Sequence, residues 1–499
     1  MGTADLQQVQ ASLLVIRPEL ILTGTVLLLI LADLFLRDRD KTVCWLLAFA
    51  GCLTALAATV LAWGQEGEAF ARLVRMDNLA SFFQVIFLMS GILTLLLSGG
   101  YVKREGFPAG EYLSLLLLSL IGMLFMAAAN DLLTVFLGLE IMSIPVYVLS
   151  GFMRRNPKSP EAALKYLLLG AFASAFLLFG IALVYGAVGT TRLAEVLGHV
   201  SAARAAAEPL FLAGLGFLLV GMGFKVSLVP FHMWTPDVYE GAPTPITAFM
   251  SAAVKAAGFA ILIRVVVISF HPLAGDWSRI FWLLAVLTMV LGNVVALVQD
   301  NVKRMLAYSS IAHAGYVLVA LTPGTRTGLQ AALIYMFIYA LMNIGAFGVV
   351  LSLSRKDEEG TEIRDYAGLA KKHPLYALAM AVFLFSLAGV PPTGGFIGKF
   401  YAFSAAVKAG YLGLAVIGVL MSAVSAYFYL RVLVVMYMQE PEAGEARFLS
   451  PTLAASGLDM GVVNLSLGIC ALTVLFLGVW PGWLAQAALQ ALQGLSLLR

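Results

Sequence analysis

Glu140 stands at the middle of NDLLTVFLGLEIMSIPVYVLS (130–150), with mostly apolar residues on both sides. In a helix it falls near the centre of a bilayer, where an ionised side chain costs roughly 2.5–3.5 kcal/mol on insertion scales. Residues that expensive usually face a protein interior and carry function. Glu140 therefore requires a partner of opposite sign. Lys225, Lys255 and Lys399 occur deep in other apolar stretches, and Lys165 nearer the end of one. One buried acid and a row of buried lysines suit proton transfer. Desolvation disfavours a charged ammonium and a neighbouring carboxylate restores it. A Glu–Lys pair that opens and closes therefore releases and recaptures a proton.

Other polar residues leave two readings open. His232 follows Pro230 closely and suits either a proton relay or a hydrogen-bonding strut, and His313 is similar. Lys165 lies close enough to a span end for its stem to reach the interface. Arg264 and Lys408 lie nearer span ends, where contact with lipid headgroups is expected, and Arg431 sits in a late span. Asp237 is placed to cap or pair beside a helix break.

These side chains need membrane helices to hold them. The chain is 61% hydrophobic and 12% charged, with a mean hydropathy of +0.93. Soluble domains average about a quarter charged residues, so the class is integral membrane protein. A net charge of +3 with no basic tail gives no reason to expect nucleic acid. Cys44, Cys52 and Cys470 lie in or beside apolar spans without metal-ligand spacing, so no metal site is expected. Apolar runs of about 20 residues recur to give about 14 transmembrane helices, an all-α fold. The first, about 13–36, is too long for a signal-peptide core and is expected to remain as a helix.

Two spans are interrupted. Pro230, five residues after Lys225, opens the seventh, and VPPTGG (390–395) divides the over-long stretch 374–408 ahead of Lys399. Broken backbone at membrane depth is tolerated only where protein or water satisfies it. The string PPTGGFIGKF fails as a phosphate loop, because Thr393 and Phe400 occupy positions that need Gly and Ser/Thr. A shift of 169 residues lays 131–149 on 300–318, both ending YVL, and AALKY on AALIY. It places Glu140 on Ser309 and Lys165 on Ile334. A repeat of five spans is odd in number, so the copies run in opposite directions, giving two inverted five-helix repeats with a broken helix in each. The expected domains are a three-helix segment (1–110), the two repeats (111–270 and 280–438), and a loop with a last helix (439–499). With both termini outside, Arg37, Arg39, Lys41, Arg154, Arg155, Lys303, Arg304, Lys356 and Arg447 fall on the cytoplasmic side, and Arg204 is among the fewer on the other.

The strings GLEIMSIPVYVL, FKVSLVPFHMWTPDVYEGAPTPITAFMSAAVKA, SSIAHAGY and GVPPTGGFIGKFYAF resemble the antiporter-like membrane subunits of the proton-pumping NADH:quinone oxidoreductase, respiratory complex I. The resemblance spans roughly 70–440. It implies that Glu140 and Lys225 form a modulating pair, Lys255 a central relay, Lys399 a site on the second half-channel, and Lys165 a connector. It implies partners too: neighbouring membrane-arm subunits and, through them, a peripheral redox arm carrying NADH, FMN, iron-sulfur clusters and quinone. No Rossmann fingerprint or cysteine cluster suggests a cofactor in this chain. The expected location is the bacterial plasma membrane. The rivals are an Mrp-type cation/proton antiporter subunit and an inert scaffold.

Overall fold

The computed structural model describes residues 10, 12–36, 41–201, 208–355, 360–440 and 457–494. Arg37, Arg39, Arg204, Lys356 and Arg447 lie outside the described residues. The helices are α1 Arg17–Phe35, α2 Thr42–Leu61, α3 Asn78–Glu105, α4 Ala109–Ala128, α5 Leu132–Ser150, α6 Lys158–Val188 and the short α7 Leu193–Ser201. There follow α8 Pro209–Lys225, α9 Trp234–Gly241, α10 Thr244–Ser269, α11 Ala274–Ala296, α12 Val302–Leu321 and α13 Arg326–Leu353. Last come α14 Pro374–Ala388, α15 Gly394–Lys408, α16 Leu412–Met438, α17 Gly457–Val479 and α18 Gly482–Ala491. A two-stranded antiparallel hairpin, Gly67–Ala69 with Val74–Met76, precedes α3 and was not expected from the sequence.

Among the described residues, eleven helices are long and apolar enough to cross a membrane, so the chain is an all-helical integral membrane protein. The expected interruptions are present. Chain 209–241 divides into α8 and α9, and 374–408 into α14 and α15. The last expected span, 461–486, is divided as well, ending at Val479 before Pro481. Inside the bundle α10 and α13 are wholly buried, while α1, α2 and α6 present broad apolar faces outward. That inversion, with Leu and Phe outside and charge within, is what a lipid solvent selects.

Two contacts recur 170 residues apart. At Gly122 of α4 a β-carbon would stand 2.3 Å from the Met142 amide nitrogen of α5, and at Gly292 of α11 it would stand 2.6 Å from that of Ala312 of α12. Both close approaches need glycine, as small residues do wherever membrane helices touch backbone to backbone. The bridge Asp131–Arg192 at the start of α5 recurs as Asn301–Glu362 at the start of α12. This spacing is one residue longer than the shift read in the sequence.

Candidate functional site

Lys225 is the last residue of α8, where the chain turns over and the backbone must find partners outside a helix. The Ser227 amide donates to Phe224 O (3.1 Å), Leu228 to Gly223 O (2.9 Å), and Val229 to Thr288 Oγ1 of α11 (3.0 Å). Ser227 adopts a left-handed backbone, φ 62°, and its Oγ accepts from Thr235 Oγ1 (2.8 Å). With the break satisfied in this way, the Lys225 ammonium points back at α5. It donates to Ser143 Oγ (2.7 Å) and Tyr147 OH (3.1 Å). The rings of Tyr147, Phe224 and Tyr166 surround it at 5.2–5.7 Å, within cation–π range.

Glu140 lies one turn before Ser143 on α5, is partly exposed, and accepts from Ser174 Oγ of α6 (2.5 Å). The structure therefore does not bring Glu140 and Lys225 into an ion pair; each has its own hydroxyl partners. His232 stands in the same break, partly exposed, and its Nδ1 has no hydrogen-bond partner among the described residues.

Lys255 lies in α10 between two π-helical stretches, Met250–Val254 and Leu262–Ser269. Such irregular turns recur at functional positions because they rotate a side chain away from the regular ladder. Its ammonium is buried and, among the described residues, hydrogen-bonds only Ser310, on the carbonyl oxygen (2.8 Å) and Oγ (2.5 Å). Ser310 belongs to α12, which leads onward. His313, one turn later, meets Tyr335 OH through Nδ1 (2.8 Å) and Tyr429 OH through Nε2 (3.3 Å), and Tyr429 also meets Ser309.

Another turn brings Tyr316, whose ring lies 4.8 Å below the Lys399 ammonium. Lys399 donates to Leu387 O and Ala388 O (2.9 Å each), the free carbonyls at the end of α14, and to Ser422 Oγ (2.7 Å). A helix C-terminus carries partial negative charge, so the broken end of α14 is a ready cation site. Gly395 keeps the break tight, because a β-carbon there would fall 1.8 Å from Ser386 O. Beside Lys399 a cavity of about 920 Å³ opens between α15 and α16, lined by Phe396, Phe400, Phe403 and Ser422.

The family described as "NADH:quinone oxidoreductase/Mrp antiporter, TM" matches residues 129–425, the part of the chain that holds all of these groups except Tyr429. NADH-quinone oxidoreductase subunit N of Trichlorobacter lovleyi is 50% identical over 479 residues, covering 96% of each chain. The chain belongs to the NADH-quinone oxidoreductase subunit N family. A second family member, subunit N 2 of Rhizobium meliloti, is 45% identical over 96% of this chain and 97% of its own. Among solved structures, respiratory complex I from Thermus thermophilus with bound aureothin contains a chain 36% identical, with a TM-score of 0.78, covering 94% of this chain and 98% of that one. The Mrp complex from a Dietzia species shares the fold at 20% identity and a TM-score of 0.83, over 98% of this chain and 100% of that one.

In this member of the subunit N family, groups that apolar periodicity does not flag lie between Lys255 and Lys399: Ser310 and Tyr316 of α12, Tyr335 of α13 and Tyr429 of α16. The string SSIAHAGY held the available signal, since it packs two serines, a histidine and a tyrosine into one apolar helix. Lys165 lies apart from that row. Partly exposed, it pairs with Glu161 and Asp237 (2.7 Å each). Arg264 corrects an expectation: it is buried rather than at headgroups, donating to both carboxylate oxygens of Asp77 (2.9 and 2.7 Å). Lys408 is exposed at the end of α15. Arg431 reaches Leu297 O and Gln299 O and pairs with Asp300 (3.4 Å). Glu19, which interrupts the first apolar run, is buried in α1 and accepts from Gln84 Nε2 (3.0 Å).

Proposed function

We propose that this chain is a proton-translocating membrane subunit of an NADH:quinone oxidoreductase, coupling quinone reduction in partner subunits to proton transfer along a buried relay. One observation carries the reading. Lys255 is an ammonium in the middle of the bundle, solvated by a single serine and with no counter-ion among the described residues. A buried charge left that bare is costly, and such groups in membrane helices mark ion pathways.

In the relay, Glu140 and Lys225 are the modulating pair, Lys255 the centre and Lys399 the group on the second half-channel, with Lys165 as connector and His232 at the break. The pair is open when Lys225 rests on Ser143 and closes when the ammonium moves one turn along α5 to Glu140. The fold behind it is fourteen crossings: the eleven long helices, α12, and the two broken crossings α8–α9 and α14–α15. Residues 1–110 form a three-helix segment, 111–270 and 280–438 two inverted repeats, and 439–499 a loop and last helix. The contacts recurring 170 residues apart support that division. Both termini lie on the outer side of the bacterial plasma membrane. The redox cofactors belong to the peripheral arm, reached through neighbouring membrane subunits, and the chain itself is the translocating part of the enzyme. The 45–50% identity to subunit N proteins favours this over the Mrp reading, where 20% identity supports the fold alone.

The test is Lys255→Ala in the assembled complex. Electron-coupled proton pumping is expected to be abolished while the complex still forms. An unchanged number of protons per NADH refutes the relay.

A further inference from the structure

Lys303 and Arg304 fall on the expected cytoplasmic side in the sequence, and in the structure these consecutive residues of α12 grip α9 at two points. Lys303 is wholly buried and donates to Ala242 O (2.7 Å), the carbonyl just past the end of α9. Arg304 Nη1 donates to Asp237 Oδ1 (2.7 Å) and to Glu240 Oε2 (2.9 Å), two carboxylates one turn apart on α9. The remaining oxygens go to α6: Lys165 binds Asp237 Oδ2 (2.7 Å) and Lys158 binds Glu240 Oε1 (2.6 Å). The short helix is therefore strung between α6, from the first half of the chain, and α12, from the second.

What α9 positions is the first break. Its first residue, Trp234, stacks on Tyr166 of α6 at 4.3 Å between ring centres, and its indole donates to Phe224 O (2.9 Å). Tyr166 and Phe224 are two of the rings around the Lys225 ammonium. A shift of α9 is thus transmitted to Lys225 through Trp234, and to Lys165 through Asp237.

We propose that Arg304, backed by Lys303, is a positioning residue of the first-half relay, holding α9 so that Lys165 keeps Asp237 and Lys225 keeps its aromatic seat. Arginine suits the task because its planar fork is already ordered, and here one nitrogen serves two carboxylates. Without it each acid retains one lysine, but α9 loses the ionic tie to the second half. The inference rests on the relay reading above.

The experiment uses the whole enzyme complex in sealed vesicles, reading protons moved per NADH oxidised, with the assembled complex quantified by its NADH oxidation with an artificial acceptor. Arg304→Gln is expected to lower the ratio about threefold or more, the range that positioning contacts command. In a Lys165→Ala background its further loss is smaller than in the native complex, since part of its effect runs through Asp237, whereas a merely structural role gives losses that multiply. Should Arg304→Gln reduce the assembled complex, the triple variant Asp237→Asn/Glu240→Gln/Arg304→Gln leaves no stranded carboxylate and is expected to show the same lowered ratio. Lys255→Ala sets the scale. If it lowers the ratio while Arg304→Gln, or the triple variant in its place, does not, or if the losses multiply, the clamp is overturned and the relay stands. If Lys255→Ala itself changes nothing, the relay falls and the clamp with it.

Discussion

Ser310 has the most exposed role of any single residue here, because among the described residues it alone hydrogen-bonds the Lys255 ammonium. Hydrogen bonds to charged groups contribute about 1.5–3 kcal/mol, so Ser310→Ala is expected to slow proton pumping about tenfold without blocking assembly. The backbone carbonyl still meets the ammonium, so the variant keeps residual activity. Ser310→Asp should be worse, since it supplies the counter-ion the site lacks and pins the charge; pumping rates of the two variants in one vesicle preparation decide the order. The sequence displayed the lysines plainly because a charge in an apolar run is too costly to be incidental. It did not display Ser310, Tyr335 or Tyr429, since serine and tyrosine occur throughout membrane helices and only the contact to Lys255 or His313 distinguishes these. The partners of Lys303 and Arg304 were hidden for a related reason: charge at a span end looks the same whether it meets water or a partly buried carboxylate.

At the scale of elements, both broken crossings were legible from proline and glycine, because those residues act on the backbone locally. The partners that stabilise the breaks were not, since Thr288 and Ser422 lie on other helices. The α9 cluster is ionic: Asp237 meets Lys165 and Arg304, and Glu240 meets Lys158 and Arg304. Asp237→Asn/Glu240→Gln should lower the melting temperature; an unaltered melting curve would show that the cluster contributes nothing. At Gly241 a β-carbon would sit 2.3 Å from Lys158 O, so Gly241→Ala forces α9 off α6. Overpacking of that kind costs about 1–3 kcal/mol, to be read as a lowered melting temperature.

For the molecule as a whole, hydropathy and charge asymmetry specify a topology that chemistry can check. A cysteine at exposed Glu195 should react with a membrane-impermeant maleimide from the outer side, and one at exposed Lys372 only from the cytoplasmic side. Cys44, Cys52 and Cys470 are buried and give little background. Labelling of both from one side would undo the inverted repeats. The tie between the three-helix segment and the rest was invisible in the sequence, because Asp77 and Arg264 are 187 residues apart and each taken alone looks like an interfacial charge. Asp77→Asn preserves the cap on the Ala80 amide and strands the guanidinium; breaking a buried pair from one end costs about 3–5 kcal/mol. That pair also sets a timetable. A ribosome adding about 5–20 residues per second delivers Arg264 some 10–40 s after Asp77. For that interval the carboxylate has Arg75 and the Ala80 amide beside it but lacks its buried partner. The Asp77–Arg264 tie of the amino-terminal helices can therefore form only once the middle of the polypeptide has been made, so docking of this subunit is completed only after α10.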